Sequence, residues 1–460
     1  MKTFIKQSPR QIFKSICVFS AQGLWFKARE VAEELTNRGA SGLWLDLAFD
    51  LADGLRKIRQ ISSELFVLNN QALTLEEKNI IEEASYWVSD KLKQEPATLI
   101  IDVSLQGSPI HAITGINGFG FISASRSDLV NKSLMVHEIT HCTLMSRSLF
   151  LDEGLATLFQ DQVSDEKLLI EPKYWDRPSL AALIEMDWSN DPYFSNILPT
   201  NKHASDPLKN DLRVHFLAAT IVDLMIRKNS VTDLVKVFQQ LKPQLREGRS
   251  PTVIKELFSI DLWQLDAEII NNTTLSFHPP SNNSIIGVAS KILAEEDMEE
   301  AKLWLPTARI KAYESVEALI ALIKILIVLG NNRKEPIKGL PYRTEALVAM
   351  NWFESKSNND HNETLDLIQA YKYVFKLRNA GHAIELRTIG TQASNAFKEL
   401  LLKYPEQPQI IVACARAQIR IDYYLISQSE WTEKLKMVKS IPSYEKAVNM
   451  LIEEHSRFIL

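Results

Sequence analysis

The chain has 460 residues, 45% of them hydrophobic and 24% charged, and a formal net charge of -5. That length exceeds one ordinary core and predicts two to three domains. The slight acidic balance excludes the basic excess of a nucleic-acid binder. Glycine (15) and proline (18) are scarce for the length, which favours long helices over many-stranded sheets. Three scattered cysteines, Cys17, Cys142 and Cys414, allow neither a disulfide framework nor a CxxC metal pair. They read as reduced core thiols in a reducing compartment.

At the N-terminus, Lys2, Lys6 and Arg10 precede a mildly apolar stretch, but Lys14 interrupts it. No signal peptide is expected, and a cytoplasmic location follows. Residues 1–95 read as a helical domain. Trp25, Ala28, Val31, Ala32 and Leu35 keep helical spacing, as do Leu43, Leu47, Leu51 and Leu55, with breaks expected near 37–39 and 60–70.

The texture changes at Pro96. Residues 97–105 (ATLIIDVSL) are the best strand candidate, and 115–124 (GINGFGFISA) a second strand entered through glycines. A long helix is predicted from about 128 to 147, and another from about 152 to 162. A proline- and tryptophan-rich loop region, 172–207, is long enough to wall a cleft. Helices resume at 211–228 and 232–241, and 277–284 (FHPPSNNS) is a natural boundary.

Beyond it the chain is helical, with breaks expected at Pro306, 330–341, 355–362, Gly381 and 405–408. The apolar run 318–329 contains Lys324, is too short to span a bilayer, and reads as a buried helix. No 34-residue period emerges, so an irregular α-solenoid or bundle is expected. The predicted class is mainly α with a small β-sheet, divided at 1–95, 96–276 and 277–460.

The chemistry-bearing motif is His137-Glu138-Ile139-Thr140-His141, an HExxH. Four residues are slightly more than one helical turn, so both imidazoles leave one face and can reach one ion. Glu138 sits about 100° around the helix, close enough to reach water at that ion without binding the ion itself. Eleven residues after His141 begins Asp152-Glu153-Gly154-Leu155-Ala156, an acidic helix opening followed by small residues that permit close packing on the first helix. Two histidines and one carboxylate leave tetrahedral zinc an open fourth position, as catalytic sites do.

HExxH with a downstream E-G-x-A resembles the gluzincins, the peptidase MA-like group, over about residues 97–275. The resemblance implies a gluzincin-like α+β catalytic domain flanked by helical domains. It implies one Zn2+ per chain on His137, His141 and Glu153, with Glu138 as catalytic base and Asp152 as a helix cap. The spacing from His141 to Glu153 is shorter than in thermolysin-like and aminopeptidase-like members. His215, in HFLAATIV, stands where the family carries an oxyanion-stabilising tyrosine. Histidine can donate that hydrogen bond; a helix-packing or surface histidine is the alternative reading.

The implied activity is hydrolysis of peptide bonds in a peptide or protein substrate, with Glu138 moving the proton from water to the leaving amine. The segment 115–123, which leads into the zinc helix, is the expected strand edge for an extended substrate. Residues 113–119 lack the methionine and acid of the aminopeptidase loop, which favours an endopeptidase or processing protease. Cys142 is expected to pack away from the metal, Thr157 to support the ligands, and His111 and His203 to lie in loops bordering the cleft. No nucleic-acid or membrane partner is expected; the C-terminal helices would bind any protein partner. A second reading is a catalytically degenerate, peptidase-like helical interaction protein; a third is a zinc hydrolase acting on a non-peptide amide.

Overall fold

The computed structural model describes residues 7–37, 43–69, 71–103, 110–116, 118–144, 148–165, 177–185, 207–240, 250–273, 285–331, 336–356, 362–380, 383–421 and 425–454. The chain is mainly helical with one mixed five-stranded sheet. It divides into two compact units, residues 1–172 with 193–245, and residues 173–192 with 246–460. This differs from the division expected at 95 and 276, because the N-terminal helices share a core with the sheet.

The first unit opens with α1 (Pro9–Ala21), α2 (Trp25–Asn37) and α3 (Leu43–Ala52). Ser8 caps α1 in a capping box with Gln11, and Pro9 occupies the first turn, where its missing N–H costs nothing. Two short strands follow, β1 (Ile58–Gln60) and β2 (Leu65–Leu68), where only a break between helices was expected. Then come α4 (Leu75–Leu92), β3 (Thr98–Val103), β4 (His111–Ile116) and β5 (Phe119–Ala124).

The strand order is β1-β2-β3-β5-β4. β2, β3 and β5 run parallel, while β1 and β4 are antiparallel edges. Phe66, Ile100 and Phe121 lie in register and join Phe13, Ile16, Ala28, Val31 and Leu51 of the three N-terminal helices in one core. Leu65, Leu99 and Gly120 are in register on the opposite face. Both faces of the central strands are therefore covered, which is why β3 reads as an unbroken apolar run. Arg10 donates to the Pro96 carbonyl and Lys14 pairs with Glu64, tying α1 to the strands.

The site helices follow: α5 (Arg126–Leu129), α6 (Lys132–Thr143) and α7 (Leu149–Val163). The single helix expected over 128–147 is broken at Asn131, which is extended (φ -93°, ψ 99°) and accepts from Ser133 N and Leu134 N as the cap of α6. Likewise α7 is capped by Ser148, whose hydroxyl accepts from Leu151 N. Asp152 therefore lies inside the helix and is not its cap. Next come α8 (Leu180–Glu185), which belongs to the second unit, then α9 (Pro207–Lys228) and α10 (Val231–Gln240) of the first. Most of the loop region expected at 172–207 lies outside the described residues, as does the boundary at 277–284.

The second unit continues with α11 (Ser250–Phe258), α12 (Leu262–Thr273), α13 (Ile285–Glu295), α14 (Met298–Ala312), α15 (Val316–Gly330) and α16 (Pro336–Lys356). It ends with α17 (Asn362–Asn379), α18 (Ala383–Lys403), α19 (Pro408–Gln418), α20 (Gln428–Lys439) and α21 (Glu445–Glu454). α15 is the buried helix foreseen over 318–329. Pro306 and Pro341 do not separate helices: they sit inside α14 and α16. Each removes one backbone donor, and packing of α14 and α16 on α15 carries the helices through. Buried ion pairs organise this unit: Arg309 with Glu345 at 2.7 Å and Arg177 with Asp266 at 2.6 Å. The second, with Glu345 accepting from Ser179 N, seats the wholly buried α8.

No helix among the described residues is long and apolar enough to cross a membrane. All three cysteines are buried and free.

Candidate metal centre

The Asn131 cap and the apolar residues Met135, Val136 and Ile139 set the rotation of α6. His137 and His141 then share one partly exposed face, their side chains each 14% accessible. The other side of α6 packs on the sheet. A β-carbon on Gly120 would overlap Cys142 Sγ and lie 2.5 Å from Cys142 Cβ. Glycine at 120 thus admits α6 against β5, and Cys142 is a packing residue, as expected. The hairpin between β4 and β5 turns at Gly118 (φ +75°), whose N–H donates to the Cys142 carbonyl at 3.0 Å. Hairpin and helix end are thereby joined. The hydroxyls of Thr140 and Thr143 are spent on carbonyls one turn back.

Glu153 reaches the same point from the second turn of α7. Its neighbour Gly154 was expected to admit the first helix of the motif. It faces α9 instead: a β-carbon there would stand 2.6 Å from the Ala218 carbonyl oxygen. This close approach brings His215, one turn before Ala218, to the carboxylate of Glu153.

Three donor groups converge, the two imidazoles facing different oxygens of one carboxylate. His137 Nε2 lies 3.3 Å from His141 Nε2 and 3.3 Å from Glu153 Oε2, and His141 Nε2 lies 3.5 Å from Glu153 Oε1. A tetrahedral ion with ligand distances of about 2.0–2.1 Å needs donors about 3.3–3.4 Å apart. The two imidazole nitrogens have that spacing, each has a Glu153 oxygen at 3.3–3.5 Å, and His137, His141 and Glu153 could hold a metal ion. Glu153 Oε2 and His137 Nδ1 are both buried with no hydrogen-bond partner among the described residues. Glu138 is 8% exposed, and its charge is felt at His141.

The electrostatics follow from burial against charge. Burial alone would push the His141 imidazolium down. The Glu153 carboxylate, with Glu138 and Asp152, overrides it and holds His141 at about 9. Burial would raise Glu153, but the charges of His141 and His215 and the close imidazoles of His137 and His141 keep it well below the carboxylate range. His215 is held below the ordinary imidazole value by burial and by His137 and His141, against the pull of Glu153.

The structure brings His137, His141, Glu153 and His215 together, with His215 Nδ1 3.8 Å from Glu153 Oε2. Thr157 is buried one turn beyond Glu153, its Oγ1 without a hydrogen-bond partner among the described residues. His111 lies on β4 and not in a loop; His203 falls outside the described residues. The segment 115–123 was expected to offer a strand edge. Its β5 portion is interior, paired to β3 and β4, so the edge beside α6 is β4. Only the pairing reveals this; an apolar hairpin reads alike in either strand.

No family model, curated protein or solved structure matches the chain.

Proposed function

We propose that the chain is a zinc-dependent peptidase of gluzincin type, more an endopeptidase or processing protease than an aminopeptidase. The observation that carries this reading is the His137–His141–Glu153 triangle with Glu138 on the same helix. Two nitrogens and one carboxylate suit zinc among the common divalent ions. When bound there, zinc supplies Lewis-acid polarisation of a scissile carbonyl and acidifies water.

The remaining work falls to the chain's own groups. Glu138 takes the proton from the attacking water and returns it to the leaving amine. β4, an edge strand among the described residues and beside the motif helix, is the strand along which main-chain hydrogen bonds would align an extended peptide. The arrangement of sheet and helices in the first unit is read as gluzincin-like. The helices of residues 277–460 are read as an irregular solenoid or bundle suited to a protein partner, in a cytoplasmic protein.

The test is elemental analysis of wild type and Glu153→Ala prepared side by side, followed by a peptide-library digest with Glu138→Gln as control. About one zinc per wild-type chain, lost in Glu153→Ala, with cleavage abolished by Glu138→Gln, supports the reading. Wild type that takes up no zinc after reconstitution sinks it.

A further inference from the structure

The resemblance places an oxyanion donor at position 215, but the geometry of this histidine points elsewhere. A donor to a substrate oxygen must open onto the space the substrate enters. His215 Nε2 is instead sealed from solvent, with no hydrogen-bond partner among the described residues, and the 15% of the side chain that is accessible lies elsewhere on the ring. The other ring nitrogen, Nδ1, faces Glu153 Oε2 at 3.8 Å. That oxygen is the one 3.3 Å from His137 Nε2. His215 is also outside the set of donors that converge on one point, so it does not read as a fourth ligand.

The backbone is arranged to make this contact. Gly154 follows Glu153 directly, and the space where its β-carbon would stand is filled by Ala218 of α9. With α7 and α9 held at that separation, residue 215 falls opposite residue 153. Thus Glu153 has the motif histidines at 3.3 and 3.5 Å and His215 Nδ1 beside it at 3.8 Å. A neighbouring group that limits the rotation of an acid ligand keeps its oxygens oriented when the ion is exchanged, which is how supporting groups raise metal affinity.

We infer that His215 is a positioning residue for Glu153, steadying the carboxylate through Nδ1, and not the donor to the substrate oxyanion. This rests on the reading of His137, His141 and Glu153 as a zinc site.

The test exploits amide isosteres. His215→Asn places an amide near the position of Nδ1, whereas His215→Gln places one near Nε2. Zinc affinity is measured by competition with a chromophoric chelator for wild type and both variants, with circular dichroism confirming their folding. Asn is expected to stay within about threefold of wild type and Gln to weaken about 10–100-fold. Gln at wild-type affinity, with Asn losing peptidase turnover alone, overturns the inference in favour of an oxyanion donor. Equal affinity in all three proteins, or equal loss in both variants, also overturns it. Should Gln fail to fold, the visible spectrum of cobalt-substituted Asn decides: unchanged bands support the inference and shifted bands overturn it. Failure of wild type itself to bind zinc removes the metal-site reading and this inference with it, an outcome recognisable because the variants then play no part.

Discussion

Gly154 and Ala218 meet so closely that a β-carbon on the glycine would lie 2.6 Å from the Ala218 carbonyl oxygen and 2.7 Å from its carbon. The obstacle is helical backbone, which cannot rotate aside as a side chain would. This contact sets the separation of α7 and α9, and through it the approach of His215 to Glu153. Gly154→Ala should therefore destabilise the protein by about 1–3 kcal/mol through overpacking and weaken zinc binding as α7 shifts. Urea unfolding and chelator competition check both. A variant as stable and as zinc-avid as wild type would show that the contact is not a constraint.

Glu138→Gln keeps the shape of the side chain and removes its ability to accept a proton. Because Glu138 is not one of the three converging donors, zinc content should stay at the wild-type value while turnover falls about 10²–10⁴-fold. Parallel metal analysis and single-peptide kinetics separate the two effects. Loss of zinc in this variant would assign Glu138 to the ligand set.

The metal-free protein should show a distinct pH dependence. His141 is raised from 6.5 to about 9 in the folded state. Its contribution to stability is complete below pH 6.5 and is lost as pH rises through about 9. Glu153 is depressed below its ordinary value of 4.5, so its contribution is complete above that pH and is lost on acidification through the depressed value. Chelator-treated protein should thus be most stable, as far as this pair is concerned, between those limits, with Tm declining toward pH 9. Since zinc requires the neutral imidazole, uptake at neutral pH should release a proton. Calorimetry in buffers of different ionisation heat would detect it, and a proton count of zero would contradict the pairing.

In the second unit, the Arg309 and Glu345 side chains are 1% and 0% exposed, and Arg309 donates to both carboxylate oxygens through Nε and Nη2. Arg309→Met leaves Glu345 charged and buried without its main partner, which should cost about 3–5 kcal/mol. The double substitution Arg309→Met with Glu345→Leu should recover much of this loss. Thermal unfolding of the three proteins measures it, and additive losses would argue against coupling.

How far could these features be read without coordinates? HExxH was legible because its chemistry is local: helical periodicity alone puts His137 and His141 on one face. Glu153 needed only one more helix a short distance downstream. The buried helix α15 and strand β3 announced themselves as apolar runs, since burial on all sides leaves no polar face. The caps at Asn131 and Ser148 are not legible, because a capping side chain competes with equally plausible neighbours and only the backbone decides between them.

What needed tertiary structure were the relations between residues far apart in the chain. Leu65–Leu68 is too short to announce a strand, yet it pairs with β3 in the sheet's interior. The edge position of β4 follows from pairing order, which depends on which strands meet. Gly154 looks the same in sequence whether it admits α6 or α9, and His215 looks the same whether Nε2 opens to substrate or is sealed while Nδ1 faces Glu153. A ligand pair four residues apart is governed by the geometry of one helix. The orientation of a residue 62 positions beyond Glu153 is governed by how two helices pack, and that depends on side chains along their whole contact.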